Sequence, residues 1–552
     1  IRDSGRLSRI TDTLDRDYVL TYNINGFLTG ITDFADRTVS YAYYDGIEAG
    51  GSFGDLKSVT FPPVTGTPNG NDFPNGKTVS YTYSTGFADD RLNHNLLTIT
   101  DARRNDANDE TVGEGPYLVN VYSEETNPNH PEFDRIVTQY WGGGRIDLSY
   151  TPIMSTIENG GATMTTIIND RVGNVIEYTF DDRNRTIRRR EYTGRANPNA
   201  PTTASQNRPR GRLRSTDPSY FESRYQWNED SQMVLEVMPN GNTVENVYES
   251  DLNPDAGPRS RGNLRIVRRS RGTHSGASDQ DVIEEFFEYD SNFGNSCCSR
   301  DFVRRYVDGN GHETLYDYDA DGNLIRTTQP DLGIVTEYEY NQFGQQTAMV
   351  WPDNGNDYRR RDEFEYYDSG PQKGMQSKWI EDVNGEALVN QYSYDSRGNL
   401  IRFVDARGNT EDYVVNQLDQ VVRKITGQVG GDSGVRYTTD IWYDANNNVI
   451  RVDEENRDEQ GALAENSNLT TRYQYEILDN LIRKTEEVDE VHEIVREFEY
   501  DANRNGVLTR WGEAVNGNQP TNITRVEFDE RNLPFRQIHG FEDEAASTDE
   551  YH

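Results

Sequence analysis

Along most of this chain an aromatic residue alternates with a polar one, and each alternating run stops at a turn. Tyr316-Asp317-Tyr318 and Tyr338-Glu339-Tyr340 show the alternation most plainly. Side chains of an extended strand alternate faces, so both rings of such a pair lie on one face. A turn of the form Asp-x-x-Gly follows, as in Asp319 to Gly322 and Asp395 to Gly398; Asn341 to Gly344 is the same with Asn. Asp or Asn in the first place can cap its own turn through the side chain, and Gly in the fourth accepts positive φ. Residues such as Leu324-Ile325-Arg326-Thr327-Thr328 then start the next strand.

A second kind of turn precedes each aromatic pair by about eight residues. Asp308 to Gly311, Pro330 to Gly333, Asp405 to Gly408, Asp170 to Gly173, Phe73 to Gly76 and Met238 to Gly241 share this place, and Asp12 and Asp33 begin related copies. The turn after the pair recurs at Tyr394-Asp395, Tyr443-Asp444, Tyr475-Glu476, Tyr500-Asp501 and Phe528-Asp529. Tyr22 to Tyr43 is 21 residues, Tyr318 to Tyr340 is 22 and Tyr475 to Tyr500 is 25. Each unit is therefore two antiparallel strands and two reversals, and stacked units make one continuous sheet. The expected fold is all-β: tandem hairpin repeats in a continuous coiled antiparallel sheet, as a hollow shell, tube or solenoid. One face should carry Tyr and Leu and the other the acidic residues. Residues 1–552 read as a single array, with irregular loops near 102–116, 194–218 and 251–280, and as a fragment of a longer chain.

Composition supports a thin structure. Hydrophobic residues are 33% of the 552, and mean hydropathy is -0.91, too polar for a solid globule of this size. The 34 Tyr, 20 Phe and 6 Trp argue against disorder. The net charge is -38, which disfavours nucleic acid and anionic membrane as partners. Six basic residues are lysines, at 57, 77, 373, 378, 424 and 484, and arginine supplies the rest. No run reaches the roughly 18 apolar residues of a membrane span.

Candidate chemistry is sparse. Asp317, Asp319 and Asp321 have the alternating spacing of half a calcium loop, but an EF-hand needs Glu where Thr328 stands. Calcium is accordingly the single cofactor candidate. Gly431-Asp432-Ser433-Gly434 resembles a serine-protease signature without an accompanying histidine context. His492-Glu493 lacks a second zinc ligand, since Arg496 takes its place. Cys297 and Cys298 are adjacent, hence a candidate vicinal disulfide or a bridge to another chain. Asn468 and Asn522 head glycosylation sequons. Nothing assembles a catalytic set, so the expectation is a non-enzymatic structural protein.

The sequence Tyr-Asp-x-x-Gly-Asn-Leu, about ten residues, then Tyr-x-Tyr resembles the RHS/YD-repeat family, with residues 312–345 matching closely and 389–425 nearly so. The family includes bacterial polymorphic toxins, toxin-complex shell subunits, wall-associated proteins and the teneurin barrel. The resemblance implies a hollow shell of hairpins, secreted or at the cell surface, that encloses or carries a toxin or effector. It also implies partners in other segments of the same precursor or further copies of the chain. A surface fibre or adhesin of the same repeats, binding surface glycans, is the alternative. Family toxins close the shell with an Asp-Pro-x-Gly-Leu motif and a self-cleavage site, whereas here Asp217-Pro218-Ser219 lies mid-chain.

Overall fold

A computed structural model describes residues 2–3, 5–12, 14–106, 115–196, 208–209, 211–272, 281–289, 301–427, 436–458, 461–489, 491–540 and 546–550. Cys297-Cys298 and Ser433 lie outside the described residues. So do parts of all three expected loops.

The sheet is one antiparallel ladder of 38 strands, from Arg9–Thr11 to Ser547–Glu550. Each strand pairs with the one before and the one after it in the chain, and no described pairing joins the first strand to the last. Arg2–Asp3 and Arg6–Leu7 form a separate small pair. Described helix is confined to single turns, Glu249–Leu252 and Gly512–Val515 among them.

The hairpin loops after the aromatic pairs share one geometry. In Glu313–Tyr318 paired with Leu324–Gln329, the register slips by one residue at Tyr318. Gly322 N–H donates to Asp319 O, and Asp319 N–H donates to Asn323 O. Gly322 has φ 91°. This is a tight turn followed by one left-handed residue that makes a bulge, a connection that matches the twist of the flanking strands. Asn447, Asp479, Arg504 and Asn532 hold the same position with φ of 73°, 61°, 71° and 60°. The fourth place thus demands a backbone conformation, which Gly meets at least cost.

The two faces of the ribbon differ. In Glu313–Tyr318, Ile334–Tyr340 and Glu493–Tyr500 the paired aromatics are half-buried, and the residue between them is exposed. The opposite face is not simply acidic, as the alternation suggested, because arginines interleave with the carboxylates. Arg361 reaches Glu339 at 2.7 Å, Arg423 reaches Asp440 at 2.6 Å and Arg483 reaches Glu497 at 2.9 Å. The Arg361–Glu339 pair spans two strands across Ala348, which is 1% exposed.

The expected loop at 251–280 contains a strand, Leu264–Ser270. Its arginines hide the strand pattern in the sequence. In the sheet they are paired: Arg268 with Glu245 and Glu284, Arg265 with Glu249, and Arg269 with Glu285. At the expected loop 194–218, the strand Thr186–Arg195 runs two residues in.

The ribbon coils on itself. Because strands alternate direction, the two kinds of turn lie on opposite edges. Turns preceding the aromatic pairs on the first lap meet turns following them on the next. Lys373 reaches Asp15 at 3.2 Å, Arg37 reaches Asp419 at 2.6 Å, and Asn503 Nδ2 reaches Asp170 at 2.6 Å. Arg214 reaches Glu530 at 2.9 Å. Asn69 and Asn71 bond the backbone at Ile441 and Tyr443. Each contact joins places twenty-three to twenty-five strands apart in the ladder. At about 4.8 Å per strand, one lap is roughly 110–120 Å around and about 35–40 Å across at the backbone. The result is a coiled wall with a thin, interrupted core, in which Ile167, Val175 and Ala196 form a packed cluster among the described residues.

Candidate functional site

The repeat residues singled out from the sequence form two recurring devices. The first is the turn carboxylate. Asp319 Oδ1 accepts N–H bonds from Asp321 and Asn323 at 3.0 and 2.8 Å, and its Oδ2 accepts from Asn323 Nδ2 at 2.8 Å. Asp395, Asp444 and Asp501 repeat the arrangement with Asn399, Asn448 and Asn505. Burial works to raise the Asp319 and Asp395 carboxyls, but these hydrogen bonds hold both below the usual carboxylate range. At Asp405 the Asn409 amide is the chief cause of the same lowering.

The second device is a tyrosine clasp, which the sequence did not disclose. Tyr318, Tyr366, Tyr443, Tyr475 and Tyr500 each donate a hydroxyl bond to the backbone carbonyl that starts the preceding strand. The acceptors are Val303, Gln346, Val421, Val449 and Leu481, at 2.7–3.0 Å. Each bond ties one hairpin to the hairpin before it. Burial pushes these phenols up in pKa, at Tyr443 and Tyr475 among others.

The same turn carboxylates do not gather a cation. Asp317 is exposed on the face opposite the rings, while both Asp319 oxygens are occupied by donors from its own turn. Among the described residues no group of three or more His, Cys, Asp or Glu could hold a metal. His492 bonds Asp489 within its own loop at 2.8 Å, and Glu493 starts a strand.

A cluster of buried charged groups lies in the seam between laps, around Lys77 and Arg103. Both are 2% exposed. Lys77 Nζ donates to Asp444 O and Asn447 Oδ1, each at 2.8 Å, and sits 4.2 Å from the Phe73 ring centre. Burial drives its pKa down to about 8, against the pull of Asp444. Arg103 donates to Glu476 O at 2.6 Å and lies 3.3 Å from Asp479 and 3.5 Å from Asp444. Its backbone N–H donates to Asn446 Oδ1. Burial raises the Asp444 carboxyl, although the Asn448 bonds and Arg103 oppose this. Beside these groups is a cavity of about 700 Å³, lined by Phe61, Tyr117, Trp141, Leu478 and Arg504 among others. Leu478 seats on Gly142, where a Cβ would lie 2.3 Å from Leu478 Cγ. Sequence reasoning passed over this cluster because its members are some 370 residues apart. A lysine in a chain of arginines was the one signal available.

Compared with family models, residues 318–353 match the RHS Repeat, the stretch that holds Tyr318, Asp319, Gly322, Tyr338, Tyr340 and Gly344. No curated protein matches the sequence. Among solved structures, the Tc holotoxin pore of Photorhabdus luminescens aligns with a TM-score of 0.49 and 11% identity, covering 95% of this chain and 27% of that one. TcdB2-TccC3-TEV aligns with a TM-score of 0.48 and 12% identity, again covering 95% of this chain and 27% of that one. The chain thus spans 27% of the length of either. Among the described residues, no helix is long and apolar enough to cross a membrane.

Proposed function

We propose that this chain is a length of wall in an RHS-type shell, a non-enzymatic scaffold that is secreted or cell-surface and encloses or carries an effector. The observation that carries the reading is the mating of the two ribbon edges. A fibre needs only the ladder, in which each strand pairs with its neighbours. Here the turns before and after the aromatic pairs also fit each other one lap on, through Arg37–Asp419, Asn503–Asp170 and Arg103–Asp479. That mating seals a wall, and a sealed wall separates an inside from an outside. Partners on this reading are other segments of the same precursor and the cargo within. Electron microscopy of the natural full-length protein is the test. Discrete hollow particles with density inside are expected. Extended filaments would establish the fibre instead, and empty particles carrying the remainder of the chain outside would remove the cargo.

A further inference from the structure

The Lys77 cluster has a chemistry that wall-building does not require. The lysine amine is buried, lies against an aromatic ring, and touches a side-chain amide from the next lap. That amide belongs to Asn447, which holds the left-handed place of its turn, where Gly322 and Gly398 stand in sister repeats. Gln420 Nε2 donates to the same Asn447 Oδ1 at 3.1 Å. Asp444 is 6% exposed, and its carbonyl oxygen is the other partner of Nζ. An amine and an amide carbonyl with a donor on its oxygen thus meet across one seam.

We propose that Lys77 and Asn447 condense into an intramolecular isopeptide bond, which closes the seam between laps covalently.

The step balances without any co-reactant. Lys77 Nζ, as the neutral amine, forms a bond to Asn447 Cγ. Negative charge gathers on Oδ1, where Gln420 Nε2 can stabilise it as an oxyanion donor does. The Cγ–Nδ2 bond then breaks, and Nδ2, with its own two hydrogens and the one proton surrendered by the amine, leaves as ammonia. The new amide replaces the old one, and nothing is oxidised or reduced. The proton that Nζ gives up is the one the leaving nitrogen takes, so the exchange is complete within the pair.

The surroundings favour the reaction. Burial disfavours the charged form of an amine, and a lysine pKa near 8 keeps a share of Lys77 neutral at ordinary pH. Asn447 is itself exposed at the rim, which gives the ammonia an exit. Condensation also removes a buried positive charge, whose desolvation is costly. Holding the two groups in contact replaces a bimolecular encounter with a unimolecular one.

Intact mass spectrometry of the folded chain, followed by peptide mapping, tests the bond. The wild-type mass should fall short of the sequence mass by one ammonia. A branched peptide should join Lys77 to Asn447, with no tryptic cleavage at Lys77. Asn447→Gly suits the positive φ of that place, so it keeps the turn and removes the electrophile; it and Lys77→Met should both show the full sequence mass. Wild-type protein at the full sequence mass, or an ammonia loss mapped elsewhere, would overturn the proposal.

Discussion

Single positions in the repeat matter through backbone conformation and through one hydroxyl. Gly322 and Gly398 sit at φ 91° and 96°. A Cβ at Gly398 would come 2.7 Å from Met375 Cε, and one at Gly322 would come 3.1 Å from Phe302 Cε2. Gly322→Val and Gly398→Val should each cost about 1–3 kcal/mol, measured by thermal or denaturant unfolding. Gly398→Asn should cost less than Gly398→Val, because Asn447 already occupies that conformation. Equal losses for Asn and Val would mean that the Met375 contact, and not φ, sets the requirement. The tyrosine clasp makes a separate claim. Tyr475→Phe keeps the ring and deletes the bond to Val449 O, so about 0.5–1.5 kcal/mol should be lost. The glycine requirement was legible in the Asp-x-x-Gly spacing. The clasp was not, because spacing places a ring on a face without saying what its hydroxyl reaches.

Hairpins hold through their turn carboxylates more than through surface ion pairs. Half-exposed pairs such as Arg483–Glu497 and Arg472–Glu487 should each contribute about 0–1 kcal/mol and weaken in salt. The carboxyls of Asp33, Asp181, Asp319, Asp395 and Asp405 are held below their ordinary range in the folded chain. A depressed folded pKa gives stability that is present above the unfolded value of about 3.9 and is lost as pH falls through the folded values. The melting temperature should therefore be level above about pH 5 and drop steeply below pH 4. A melting temperature that stayed level down to pH 3 would count against the turns as the source. The strand Leu264–Ser270 shows where pattern reading fails at this scale. A run rich in arginine looks like a solvated loop until the acidic residues of its neighbouring strands, Glu245 and Glu284, are placed beside it.

The whole molecule is held by its seam. Arg103 and Asp444 are both buried there, 3.5 Å apart. Arg103→Ala would leave the buried Asp444 carboxyl with the donors of its own turn alone and remove the bond to Glu476 O, at a cost of about 1–3 kcal/mol. Since the ladder itself stays intact, the far-ultraviolet spectrum should keep its strand signal while small-angle scattering reports an expanded coil. Loss of both signals together would show that the ladder cannot stand without the seam. The intact coil should have a radius of gyration well above the roughly 24 Å of a compact chain of this length.

The sequence by itself determined most of the strands, the two kinds of turn, the half-buried aromatic face and the order of pairing. All of these follow from contacts between residues near in the chain, where alternation, turn chemistry and positive φ act directly. Only the tertiary structure decided which edges meet and what lies between them. The size of a lap is set by twist and curvature accumulated over about two dozen strands, and no local pattern records such a sum. Lys77 therefore reads as an ordinary lysine in the chain and becomes a buried amine against Asn447 only when the ribbon has closed one full lap.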